Sequence, residues 1–121
     1  MASVLLVDDL AFIKLVQKEV IEANGHQIIG DAKDGLEAIE QFKRLHPDII
    51  IMDITMPKMD GITALEHIMN FDKNAKVIMI SALGKQDLVK KSLLLGAKNY
   101  IVKPLDRKKV LERINQVLTK S

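Results

Sequence analysis

Three carboxylates stand where short apolar runs end. Asp8 and Asp9 directly follow Val4–Val7, and Asp53 directly follows Ile49–Met52. If those runs are neighbouring strands, the three carboxylates meet, and such anions repel unless a cation or protons offset them. Oxygen-only ligands with no His or Cys beside them favour a hard ion. A carboxylate cluster with positions left for water and phosphate suits Mg2+. The competing explanation is local: Asp is a good helix N-cap or turn residue. A helix start needs one cap, however, and a pair plus a third carboxylate at another strand end exceeds that need. Ser81 and Lys103 close two further runs, and Pro104 follows the lysine. A lysine beside a carboxylate–metal site can hold a phosphoryl oxygen as a point charge, and a hydroxyl can donate to another. Taken singly, Ser81 also reads as a turn residue and Lys103 as a solvated lysine. An X-Pro pair at a strand end fixes the backbone and can support a cis bond.

The elements that would position these residues alternate along the whole chain. Val4–Val7, Gln27–Gly30, Ile49–Met52, Val77–Ile80 and Tyr100–Val102 are rich in β-branched residues and mostly apolar at consecutive positions, as strands covered on both faces are. Helical spacing separates them: Phe12, Leu15, Val16 and Val20; Leu36, Ile39 and Phe42; Ile62, Leu65, Ile68 and Met69; and Val110, Leu111, Ile114, Val117 and Leu118. Gly25, His46-Pro47 and Gly96 stop the first, second and fourth helices. The expectation is an α/β fold, a doubly wound parallel sheet of five strands with five helices on its two faces. No repeat, low-complexity segment or linker divides residues 1–121, which read as one module.

Composition sets the outer bounds. At 121 residues and 48% hydrophobic, the chain can bury a core without staples. With no Cys there is neither a disulfide framework nor a thiolate metal site, which suits a reducing cytoplasm. No apolar run is long enough to span a bilayer. The net charge of +2 hides an asymmetry: residues 1–82 carry 8 basic and 13 acidic side chains, and residues 83–121 carry 10 and 3. His26, His46 and His67 are scattered without metal-ligand spacing. Met52, Met56 and Met59 read as gap fillers beside the loop that follows Asp53.

Leu5-Leu6-Val7-Asp8-Asp9, Met52-Asp53-Ile54-Thr55-Met56-Pro57, Met59-Asp60-Gly61, Ser81-Ala82 and Gly96-Ala97 through Tyr100-Ile101-Val102-Lys103-Pro104 together resemble the receiver domain of response regulators. The likeness covers essentially the full chain and is nearest to the single-domain, CheY-type chemotaxis regulators. It implies a flavodoxin-like sheet of order 2-1-3-4-5. It implies that Asp53 accepts a phosphoryl group from a sensor histidine kinase as an acyl phosphate. Asp9 would ligate Mg2+ directly and Asp8 through water, with Asp53 and the backbone carbonyl of Thr55 completing the protein's share. Lys103 would bridge to the phosphoryl group, Ser81 would move to hydrogen-bond it, and Tyr100 would turn inward after Ser81. The protein would be a signalling switch rather than an enzyme, although it would catalyse its own phosphorylation and dephosphorylation. Thr55 and Leu83 fall where the family tunes the lifetime of the phosphoryl group, and where many chemotaxis regulators carry Asn and an acidic residue. A phosphatase is a further implied partner. Lys98-Asn99 replaces the acidic pair of receivers that dimerise through this face, so a monomer is expected.

Leu93-Leu94-Leu95 cannot all face one sheet, because consecutive helical residues lie about 100° apart. Leu94 with Lys90, Lys91, Lys98, Tyr100, Arg107, Lys108 and Lys109 would form a basic, partly apolar face suited to an acidic amphipathic partner, such as a flagellar switch component. Nucleic acid is the rival for a basic patch, but no helix-turn-helix, zinc finger or stacking platform accompanies it. Three functions compete: a diffusible switch, a phosphorelay intermediate that passes its phosphoryl group to a histidine phosphotransfer protein, and an aspartate-nucleophile phosphatase of the haloacid dehalogenase type. The last needs a second Asp two residues after the nucleophile, where this chain has Thr55. A receiver belonging to a larger regulator is a further alternative.

Overall fold

In a computed structural model that describes residues 2–119, strands and helices alternate strictly. They are β1 (Ser3–Val7), α1 (Ala11–Ala23), β2 (Gln27–Ala32), α2 (Gly35–Leu45), β3 (Ile49–Asp53), α3 (Gly61–Phe71), β4 (Val77–Ser81), α4 (Gln86–Leu94), β5 (Asn99–Val102) and α5 (Arg107–Thr119). The sheet is parallel throughout, in the expected order β2-β1-β3-β4-β5.

Every residue of β3 and β4 is buried, which explains their unbroken apolar runs. Alternate side chains leave opposite faces of the sheet, and helices cover both faces. Leu5, Val7, Ile50, Met52 and Met79 pack with Phe42, Leu65 and Ile68 on one side. Val4, Leu6, Ile49, Ile51, Ile78 and Ile80 pack with Ile21, Val110 and Ile114 on the other. The chain winds outward from β1 in both directions, so a crevice opens at the carboxyl ends of β1 and β3.

The observed strands reach beyond the apolar runs to polar ends. Asp53 pairs with Ile80 and Ser81 with Val102, so both are the last residues of their strands. The stripes of α3 and α5 face the core as expected, whereas those of α1 and α2 need correction. Phe12 is 72% exposed and Leu15 59%, and Leu36 also lies in solvent. On α1 the buried line is Gln17, Val20 and Ile21, with Ile13 and Val16 half-buried. It is a regular helical stripe interrupted by a polar residue, and the interruption shifts the apparent apolar face by about one residue.

The helix stops behave as read. Gly25 and Gly96 have positive φ, and His46 caps α2 in the left-handed region with its amide donating to the Phe42 carbonyl at 3.0 Å. Among the described residues, no helix is long and apolar enough to cross a membrane.

Candidate functional site

The sheet's hydrogen-bond ladder continues past the strand ends and fixes the backbone of the site. The Asp8 amide donates to the Ala32 carbonyl (3.0 Å), Ile54 to Ile80 (3.0 Å), and Lys103 to Ser81 (2.8 Å). Side chains from β1, β3, β4 and β5 are thereby carried to one crevice on rigid supports.

Asp8, Asp9 and Asp53 each place a carboxylate oxygen within 4.8 Å of the other two, the one such acidic group among the described residues. Asp8 is fully buried. Its Oδ1 accepts from the Leu10 amide at 2.9 Å, while its Oδ2 is buried without a partner. Burial raises the Asp8 pKa above the ordinary carboxylate value, with Asp53 and Asp9 adding to the rise. The Leu10 amide and Lys103 oppose it. The Nζ of Lys103, half-buried, lies 3.0 Å from Asp53 Oδ2, and the Lys103–Pro104 peptide is cis.

Capping does not explain this arrangement. Leu10 occupies the N-cap of α1, and no side chain bonds to that helix start. Three carboxylates facing one lysine leave two negative charges unbalanced, and an orphaned buried oxygen costs free energy on its own. A hard divalent cation held by Asp8, Asp9 and Asp53 would offset both, so the residues present fit Mg2+. Thr55 is exposed beside them, its amide donating to Asp53 Oδ1 at 3.4 Å.

The loop after Asp53 is pinned at both ends. The Gly61 amide donates to the Ile54 carbonyl at 2.7 Å, and the Gly35 amide donates to the Met59 carbonyl at 2.9 Å. A Cβ at Gly61 would come within 2.1 Å of the Asp53 carbonyl oxygen, so only glycine allows α3 to start this close to the acceptor strand.

Ser81 is buried, with Oγ donating to the Ala82 carbonyl at 3.1 Å. To meet a group on Asp53 it must give up that bond. Tyr100 is half-buried and borders a groove of about 390 Å³, whose lining includes Ser81, Leu83, Val89, Lys90, Leu93 and Val102. Of the expected partner face, Lys90 and Tyr100 meet at this groove, and Leu93 joins them there instead of Leu94. Leu94 is 79% exposed, and Lys91, Lys98 and Lys108 are also exposed, all outside the groove lining. Arg107 turns toward α1, 3.4 Å from Glu19. Arg113 joins Tyr100 from outside the expected face: its Nε donates to the Tyr100 carbonyl at 3.1 Å, and its Cζ lies 5.8 Å from the ring centroid. No short-range signal links residues thirteen apart on a strand and the following helix. None of the three histidines joins the acidic group; His26 Nδ1 accepts from the Ala2 amide at 3.0 Å.

Comparison with known proteins agrees with this geometry. Residues 4–115 match the response regulator receiver domain. The chain is 61% identical over 117 residues to the chemotaxis protein CheY of Treponema pallidum (strain Nichols), covering 95% of this chain and 81% of that one. It is 47% identical to the CheY of Thermotoga maritima, covering 94% and 95% of the two chains. Among solved structures it resembles a chain in the CheX-CheY-BeF3-Mg2+ complex of Borrelia burgdorferi, with a TM-score of 0.94 and 54% identity over 98% of this chain and 90% of that one. The chain belongs to the response regulator receiver domain family, as a CheY-type receiver of two-component chemotaxis signalling.

Proposed function

We propose that the chain is a phosphorylation-activated switch in which Asp53 accepts a phosphoryl group from the phosphohistidine of a sensor kinase. The observation that carries this is Asp53 itself. It ends a fully buried central strand, with Lys103 on one oxygen at 3.0 Å and two further carboxylates within 4.8 Å. An Asp53 carboxylate oxygen attacks phosphorus and forms an O–P bond. The P–N bond to the histidine breaks, and its electron pair leaves with the imidazole nitrogen. Mg2+, when bound, neutralises charge between the anionic nucleophile and the anionic phosphoryl group. Asp8, Asp9 and Asp53, together with the Thr55 carbonyl, would hold it.

Lys103 orients the Asp53 carboxylate beforehand and then binds a phosphoryl oxygen as a point charge. The Ser81 hydroxyl leaves the Ala82 carbonyl for another phosphoryl oxygen, and the space it vacates borders the groove beside Tyr100. The local charge event is thereby passed to the surface between α4 and β5. Lys90, Lys91, Lys98 and Lys108, with Leu93 and Leu94, offer an acidic amphipathic target such as a flagellar switch component a basic and partly apolar surface. The CheX complex of the Borrelia neighbour supports a further partner of the phosphatase class. The module, residues 1–121, works in the cytoplasm and removes its own phosphoryl group, at a rate set in part by Thr55 and Leu83.

Incubation with radiolabelled acetyl phosphate and Mg2+ tests the assignment. Wild-type protein takes up label and Asp53→Asn takes up none. Persistent stoichiometric labelling of Asp53→Asn would overturn it.

A further inference from the structure

The ring of Tyr100 has two places to go. On one side stands Arg113, with its guanidinium carbon 5.8 Å from the ring centroid, inside the range of a cation–π contact. On the other is the groove of about 390 Å³ that Ser81, Val89, Leu93 and Val102 help to line. A phenol ring fits there easily, since an apolar cavity of about 150 Å³ already takes benzene. The guanidinium is itself held fast. Its Nε donates to the Tyr100 carbonyl at 3.1 Å and its Nη1 to Gln116 Oε1 at 3.4 Å, and that Gln116 oxygen also accepts from Asn99 Nδ2 at 2.8 Å. A cation anchored to the tyrosine's own backbone and braced by a neighbouring amide stays in place while the ring moves. The contact with the ring is therefore gained or lost by rotation of Tyr100 alone.

We propose that Arg113 is a positioning residue that holds the Tyr100 ring at the α5 side and keeps it out of the groove. It thereby sets how much of the free protein already adopts the inward arrangement. The inference rests on the switch reading only where beryllium fluoride enters, because the effect on the ring exists in the free protein. A cation–π contact at a partly exposed site corresponds to a two- to five-fold bias between the two ring positions. By linkage, a ligand that favours the inward ring must bind more tightly by up to the same factor when the bias is removed.

The sequence supplies its own probe, for Tyr100 is the chain's one tyrosine and there is no tryptophan. Intrinsic fluorescence therefore reports this ring alone, and 3-fluorotyrosine places a single fluorine on it. In Arg113→Ala, and in Arg113→Met, which keeps an apolar stem, the expected result is a ring less accessible to acrylamide quenching. The fluorine resonance should also be displaced from the wild-type position. Beryllium fluoride with Mg2+ should then half-saturate at a two- to five-fold lower concentration. Arg113→Lys, which keeps the charge without the planar group, should lie between wild type and Arg113→Met. If all three variants keep native amide spectra yet match wild type in quenching and fluorine shift, the proposal is overturned. If the variants protect the ring but beryllium fluoride leaves wild-type Tyr100 unchanged, Arg113 keeps its role and the switch reading fails instead.

Discussion

The carboxyl ends of β1 and β3 and the region of α4 lie on the same sheet but are built in opposite ways. At the first, backbone is fixed by ladder hydrogen bonds, Asp8, Asp53 and Ser81 are buried while Asp9 is exposed, and the stress is electrostatic: three carboxylates, one lysine and an orphaned oxygen. At the second, charge is solvated and the weakness is mechanical. α4 has nine residues, buries only Val89 and Ser92 fully, and starts at Lys85 without a side-chain cap. Leu93 and Leu94 on its outer side are exposed. Ser92 spends its hydroxyl on the Leu88 carbonyl at 2.9 Å, a back-bond that weakens a helix more than it helps. A receiver needs both characters. Chemistry requires atoms that stay put, whereas response requires an element whose packing is easily exchanged.

The sharpest way to break this contrast is to weaken the rigid end. Ile50 is fully buried on β3, three residues before Asp53. Ile50→Ala should cost about 2–5 kcal/mol in urea unfolding, as large-to-small core substitutions do. Loss of less than about 1 kcal/mol would show that the site's support is not the packed strand described above.

Next in size is the electrostatic stress. Asp8→Asn should stabilise the metal-free protein near neutral pH by about 1–2 kcal/mol, because it removes the buried carboxylate charge that has no cation of its own. Since burial raises the folded-state pKa of Asp8, its charged form opposes folding above that pKa. As pH falls through it, the wild-type carboxyl takes up a proton and the advantage of the variant shrinks. Denaturant titrations at several pH values check this, and an advantage that grows toward acid pH would refute the sign. Mg2+ at ten times its dissociation constant should stabilise wild type by about 1.4 kcal/mol, and Asp8→Asn by less at the same concentration.

The smallest effect sharpens the other side. Lys85→Asp supplies α4 with the missing N-cap and should add about 1 kcal/mol to the helix. Hydrogen exchange should show stronger protection in α4 with little change in β3. Unchanged α4 protection would mean that the absent cap is not what loosens it.

How much of this was legible in sequence depends on the kind of signal. Asp8, Asp9, Asp53, Ser81 and Lys103 could be brought together because each follows or ends an apolar run, and parallel strands align such ends. The sheet itself followed from runs buried on both faces. Phe12 and Leu15 mislead because periodicity counts apolar residues and has no way to credit a buried Gln17, and Leu36 misleads because small Gly35 and Ala38 fill the buried side of α2 near it. That Leu93-Leu94-Leu95 must send a leucine to the surface is legible, and Leu94 is 79% exposed, but the place of Leu93 at the groove is not, because rotation of a short helix depends on what it packs against. Arg113 left no sequence signature, since its contact with Tyr100 joins two elements through the fold alone.

The closure between Gly61 and Ile54 has a consequence for how the sequence can drift. Residues 54–61 form a ring shut by one 2.7 Å bond, with the end of β3 so close to Gly61 that no Cβ fits between them. Inside that ring the side chains of Thr55, Pro57 and Lys58 face outward, so packing alone does not fix their identity, although Lys58 sits at a positive φ of 66° that disfavours β-branched residues. The number of residues is fixed. One residue more or fewer would leave the acceptor strand and α3 unable to meet. Over evolutionary time the segment should therefore vary in composition while its length stays constant, as a spacer cut to a single gauge.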